Sequence, residues 1–197
     1  HELKARVLNT LAAINLKFGK KLKDDHGKFY EMNVNVSAVQ LHLENFVDDI
    51  VNALVKYDYP PGFLNLEITE SVAIESDKSI TKKLAKLHKL GVKISLDDFG
   101  TGYSSLNHLL SLSLTHLKID RSLILEAVKN DDVYRMIKGI VDFAHTIHLK
   151  VVAEGIEDAF MEQMMGHMTV DVCQGYLYTR PVNEASIIKY IDDYPYK

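Results

Sequence analysis

Lys93–Gly102, KISLDDFGTG, joins an alternating run to two adjacent carboxylates and a loop with two glycines. From Val92 onward, Val92, Ile94 and Leu96 alternate with Lys93, Ser95 and Asp97, the period-two pattern of a strand with one apolar and one polar face. Asp97 and Asp98 repel one another when both are ionised, so some neighbouring group must make the two charges tolerable. A helix N-cap followed by permissive glycines would do so. A bound cation would do so equally well.

The same alternation recurs along the chain. In FLNLEIT, Leu64, Leu66 and Ile68 oppose Asn65 and Glu67; in MNVNVS, Val34 and Val36 oppose Asn33, Asn35 and Ser37. Leu117 and Ile119 oppose His116, Lys118 and Asp120. With VVAEGI and VCQGY, six β-type runs are visible, the MNVNVS run lying within FYEMNVNVS. Helix-like stretches lie between or beside them near 40–57, 78–90, 132–148, 157–166 and 183–192, and an amphipathic helix is expected from His1 to about Phe18. The Lys-rich stretch that follows, to Lys28, is expected to be a loop.

Alternating strands and helices imply a parallel sheet with crossover helices. An open doubly wound sheet would bury both faces of its strands and read as almost wholly apolar. These strands are apolar on one face only, so a TIM-like (β/α)8 barrel with a polar interior is the better fit. Such a barrel takes about 250 residues and eight strands. The 197 residues, with six strands, are therefore expected to be one domain, 1–197, lacking the barrel's first two strands.

Composition narrows the function. A formal charge of −4 argues against coating duplex nucleic acid, though not against binding a small nucleotide. No apolar run approaches the roughly 18 residues of a membrane span, and a single cysteine, Cys173, fits a reducing compartment, so a cytoplasmic address is expected. His145 and His148 read as neighbours on one helix rather than as zinc ligands, Met161, Met164, Met165 and Met168 as core packing, and Cys173 as a small buried residue.

Each strand carries an inward polar residue near its end: Asn35, Glu67, Asp97, Lys118, Glu154 and Gln174. With Asp98, four carboxylates gather around a single lysine. Such a set is tolerable in a confined site only if cations neutralise it or some pKa values rise. Oxygen ligands without cysteine or paired histidine favour Mg²⁺ or Mn²⁺ over zinc, and adjacent aspartates suit two ions sharing a ligand.

Six segments in this order, NVNVSAVQL, LEITES, LDDFGTGYSSL, LKIDRSLI, VVAEGIE and QGYLYTRPV, resemble the EAL-domain family from about Asn33 to Val182. These are bacterial metal-dependent phosphodiesterases that open cyclic di-GMP to the linear dinucleotide pGpG. The resemblance implies that Asn35, Glu67 and Asp97 bind one Mg²⁺ or Mn²⁺ ion. Asp97 would bridge to a second ion supported by Asp98 and Glu154. Catalysis would fall to Lys118, orienting the attacking water, together with Glu154 and Glu67. Gln174, Glu157 and Arg180 would lie on the substrate-binding side, and Glu70 would anchor the loop after Asp98.

The resemblance also implies a homodimer and leaves room for an upstream regulatory or diguanylate cyclase domain. The Glu-Ala-Leu sequence that names the family does not occur in these 197 residues, and its glutamate is a metal ligand there. The expectation is a piece of a longer, active protein that is itself weakly active or inactive. The alternative is a catalytically silent cyclic di-GMP receptor or interaction module.

Overall fold

The computed structural model describes residues 2–74, 78–100 and 106–193, with side chains described outside 2–11, 74 and 106–108. Six strands form one sheet: β1 (Met32–Asn35), β2 (Leu64–Thr69), β3 (Lys93–Phe99), β4 (His116–Ile119), β5 (Lys150–Ala153) and β6 (Val172–Cys173). The helices are α1 (Glu2–His26), α2 (Ala38–His42), α3 (Phe46–Lys56), α4 (Glu70–Ile74), α5 (Lys78–Lys89), α6 (Leu106–Ser111), α7 (Arg121–Ala127), α8 (Asp131–Thr146), α9 (Ala159–His167) and α10 (Glu184–Asp193). All five strand pairings are parallel, and sheet order equals chain order. A doubly wound sheet reverses its strand order partway; this one never does. It curls as a half-barrel of the TIM type.

The two faces divide as the alternation predicts. Val34, Leu66, Ile68, Ile94, Leu96, Leu117, Ile119, Val151 and Ala153 are buried in the core against the helices. The concave face holds the buried polar residues Asn65, Glu67, Ser95, His116 and Lys118. Burying polar groups is tolerable only when they are paired, and the middle of this face shows how. Asn65 donates to Asn33 Oδ1 at 3.1 Å, and Ser95 donates to Asn65 Oδ1 at 2.8 Å, linking three strands by side chains alone.

Several elements depart from expectation. Helix α1 continues to His26, through the stretch expected to be a loop. Gly19 does not break it, because its role is close approach: a Cβ there would lie 2.6 Å from the Tyr59 hydroxyl. The helix expected over 40–57 is split into α2 and α3, with Leu43 extended between them. Lys83 of α5 caps the break, donating to the carbonyls of Leu41 (2.9 Å) and Leu43 (2.7 Å).

Helix α7 was not expected at all. It starts because Asp120 accepts the Ser122 N–H at 2.9 Å, satisfying one of the first-turn donors. His148 is not on the helix of His145: α8 ends at Thr146 and His148 turns the chain at φ 62°. Met161, Met164, Met165 and Met168 are buried as core, whereas Cys173 is only half-buried. Among the described residues no helix is long and apolar enough to cross a membrane.

Candidate active site

In a regular strand Asp97 and Asp98 would point to opposite faces. The β3–β4 register prevents this. Leu96 pairs with Leu117 and Phe99 pairs with Ile119, so Asp97 and Asp98 together stand opposite Lys118 alone. That is a β-bulge, with Asp98 in the left-handed region at φ 56°. The bulge brings both carboxylates to one side: oxygens of Asp97, Asp98 and Glu154 all lie within 4.8 Å of one another.

Lys118 sits at the centre, 4% exposed. Its Nζ is 2.9 Å from Glu67 Oε1, 2.8 Å from Asp97 Oδ1 and 2.7 Å from Glu154 Oε1. An ammonium has three N–H groups, and here each can serve one carboxylate. The buried oxygens Glu67 Oε1 and Asp97 Oδ1 meet no donor besides this one.

One positive charge cannot balance this set. Burial raises the pKa of Glu67 and of Glu154 above the ordinary carboxylate value, although Lys118 opposes the shift in both. Asp98 is also raised, by burial first and then by Asp97 and Asp120. Lys118 is affected the other way. Burial alone would lower it, but hydrogen bonds to Asp97 and Glu154 and the charge of Glu67 raise it, so it remains an ammonium. Carboxylates disfavoured as anions, two of whose buried oxygens have no donor but Lys118, form a donor set that a hard divalent cation would relieve. Two oxygens on opposite sides of such an ion stand about 4–5 Å apart. The residues fit a divalent cation.

Other residues singled out from the sequence lie around this cluster. Asn35 is exposed on β1, in register with Glu67. Glu70 is buried just beyond β2, and its Oε2 accepts the Gly100 N–H at 3.4 Å, bridging α4 to the turn after the bulge. Gln174 follows β6 with its side chain exposed and without a hydrogen bond among the described residues; its backbone N–H bonds to Ala153 O at 2.8 Å.

Glu157 is met by a residue the sequence reading passed over. Arg121, directly after Asp120, donates to Glu157 Oε1 through Nε (3.0 Å) and Nη2 (2.6 Å). Its place two residues past the end of β4 was the only available signal. Arg180 stands over the Tyr176 ring, 4.9 Å from its centroid, and is not part of the carboxylate cluster. Thr101–Ser105 of the glycine loop lie outside the described residues.

The fold and cluster define a β/α-barrel protein with its polar constellation at the C-terminal ends of the strands, where barrel enzymes work. The EAL domain matches residues 3–181. The bifunctional diguanylate cyclase/cyclic di-GMP phosphodiesterase MucR of Pseudomonas aeruginosa is 39% identical over 153 residues, 78% of this chain and 22% of that protein. The cyclic di-GMP phosphodiesterase NbdA of the same organism is 36% identical over 161 residues, 82% of this chain and 21% of that protein. A solved structure of the P. aeruginosa MucR phosphodiesterase in complex with c-di-GMP superposes with a TM-score of 0.87 at 33% identity, covering 94% of this chain and 75% of that one. The chain belongs to the EAL domain family. It spans about a fifth of the length of these curated relatives.

Proposed function

We propose that this chain carries the catalytic cluster of a cyclic di-GMP phosphodiesterase that yields the linear dinucleotide pGpG, using Mg²⁺ or Mn²⁺. The observation that carries the reading is the β3 bulge, which turns two consecutive aspartates toward one buried lysine already shared by Glu67, Asp97 and Glu154. A structural salt bridge needs one partner for one lysine; four carboxylates around it are a surplus that suits cations. The family of the chain and the names of its relatives supply the substrate.

Asn35, Glu67 and Asp97 would hold one ion, and Asp97, Asp98 and Glu154 the other. When bound, paired divalent ions supply an activated water and stabilise the leaving oxygen. Lys118 keeps the three carboxylates converged and would orient the attacking water. Glu70, through the Gly100 N–H, steadies the turn that follows Asp98. Arg121 holds Glu157 at the rim, where Gln174 and Arg180 would help seat the substrate. A cytoplasmic homodimer within a longer regulatory protein is part of the proposal.

Incubation with cyclic di-GMP and Mn²⁺, followed by chromatography of the products, tests it in the full-length protein that contains this chain. The expected result is pGpG from the wild type and at least about a hundredfold less from Asp97→Asn, as suits loss of a group acting on the reacting centre. Cyclic di-GMP binding without any linear product would overturn the enzymatic reading in favour of a silent receptor.

A further inference from the structure

Arg121 and Glu157 form an ion pair beside the carboxylate cluster, and the backbone fixes both halves of it. Arg121 stands three residues beyond Lys118 of β4, and Glu157 three residues beyond Glu154, which follows β5. The two strands are neighbours, so the pair rises from the same strand ends as the cluster. The loop that carries Glu157 is clamped: Ile156 donates its N–H to Gln174 O (3.0 Å) and accepts the Leu177 N–H (3.0 Å), and its side chain is fully buried. Arg121, the first residue of α7, lays its stem across Gly155. A Cβ on Gly155 would lie 2.2 Å from Arg121 Cγ and 2.5 Å from its Cβ and Cδ, and φ there is 70°. Only glycine leaves room for this crossing.

The pairing leaves part of each group unused. Arg121 directs Nε–H and one Nη2–H at the same oxygen, Glu157 Oε1. A guanidinium has five N–H donors, so three remain, and Glu157 Oε2 remains as an acceptor. Among the described residues none of these has a partner. The two side chains are 51% and 40% exposed. An ion pair so open to water adds little to stability, which gives the fold small reason to clear a side chain from position 155. What the arrangement offers is a fixed set of N–H donors beside a fixed acceptor oxygen, both turned to solvent at the rim of the cluster.

That order of donors and acceptor matches guanine and opposes adenine. Guanine presents O6 and N7 as acceptors, with the N1–H donor next to O6; adenine has an amino donor in place of O6 and a bare lone pair at N1. Arginine spans O6 and N7 readily, and a carboxylate oxygen accepts N1–H. Adenine in the same place would set donor against donor and lone pair against carboxylate, so the pair rejects one base as it holds the other. We infer, resting on the cyclic di-GMP reading above, that Arg121 and Glu157 together read one guanine of the dinucleotide. Arg121 donates to O6 and N7, and Glu157 Oε2 accepts from N1–H.

Calorimetric titration of the full-length protein that contains this chain, in chelator so that metal-dependent turnover is off, compares cyclic di-GMP with cyclic di-AMP. The wild type is expected to prefer cyclic di-GMP by roughly a hundredfold, two mismatched contacts at about tenfold each. Glu157→Gln and Arg121→Met should keep the unfolding profile of the wild type, since both side chains are half-exposed. Each should cut the preference by roughly tenfold, mainly through weaker cyclic di-GMP binding. A merely structural pair would weaken both dinucleotides alike and leave their ratio unchanged. An unchanged ratio in either variant overturns the inference, as does a wild type that binds the two dinucleotides equally or binds neither. Product formation with Mn²⁺ judges the enzymatic reading separately. A guanine preference that falls in the variants, without any linear product from the wild type, upholds this assignment and overturns that reading.

Discussion

The two ends of the concave face are built from the same strands and carry opposite charge. At the C-terminal ends, Glu67, Asp97, Asp98 and Glu154 crowd one lysine; at the N-terminal ends, Lys93, Lys150 and three histidines surround a cavity. Between them the uncharged Asn33–Asn65–Ser95 ladder separates the two. The difference lies in how each end handles burial. The basic end keeps Lys150 exposed and buries one imidazole, whose pKa is lowered by burial first and then by Lys93 and Lys150 against the pull of Glu31 and Asp171. The acidic end buries its lysine and leaves its carboxylates under-compensated. Only the acidic end stores a charge imbalance that a cation would relieve.

Removing the shared ammonium should have the largest effect. In chelator, Lys118→Met is expected to lower unfolding stability by about 3–5 kcal/mol, the usual consequence of stripping one partner from a buried ion pair. Mn²⁺ should restore part of that loss by taking over the carboxylates. Denaturant unfolding with and without the metal measures both, and a variant as stable as wild type in chelator would break the account of the acidic end.

The strand ends that carry this cluster are also held by a backbone contact. A Cβ on Gly175 would lie 2.1 Å from Ile156 O and 2.3 Å from Ile156 N, backbone atoms that have little room to give. Gly175→Ala should therefore cost about 1–3 kcal/mol. Gly139, inside α8 with open space around it, is the control: Gly139→Ala is expected to stabilise by about 0.5–1 kcal/mol. Equal effects at the two positions in thermal melts would show that the β5–β6 contact is looser than it looks.

The smallest effect is the most discriminating, because the ends should respond to pH with opposite sign. Glu67 and Glu154 have pKa values raised above 4.5, so the folded protein holds their protons longer than the unfolded chain does. Their contribution to metal-free stability is thus greatest in acid and falls as pH rises above about 4.5. His116 is lowered below 6.5, so the unfolded chain takes up its proton first, and stability falls as pH drops through about 6.5. Melting temperature against pH in chelator should steepen downward on the acid side in Glu154→Gln and flatten there in His116→Gln. The same profile in both variants would refute the division.

Much of this was readable one strand at a time. Alternation assigned Leu66, Ile94 and Leu117 to the helices and Glu67 and Lys118 to the interior, because side-chain direction in a strand has period two and needs no knowledge of neighbours. The extension of α1 past Gly19 was not readable, since it depends on Tyr59, forty residues away in the chain, packing where a side chain would otherwise stand. The break between α2 and α3 likewise depends on a lysine from α5.

The sequence by itself determined that six strands, each with one polar face, would form a parallel barrel-type sheet with carboxylates and a lysine at the strand ends. It could not decide that Asp98 joins Asp97 on one side, because strict alternation sends consecutive residues to opposite faces. That depended on the pairing of β3 with β4, where two residues stand opposite one. The basic cavity at the other end was equally a matter of tertiary structure: His88, Lys93, His116, His148 and Lys150 come from separate elements and converge only when three parallel strands begin side by side. Local periodicity is written in the chain, whereas register and convergence arise only from the contacts between strands.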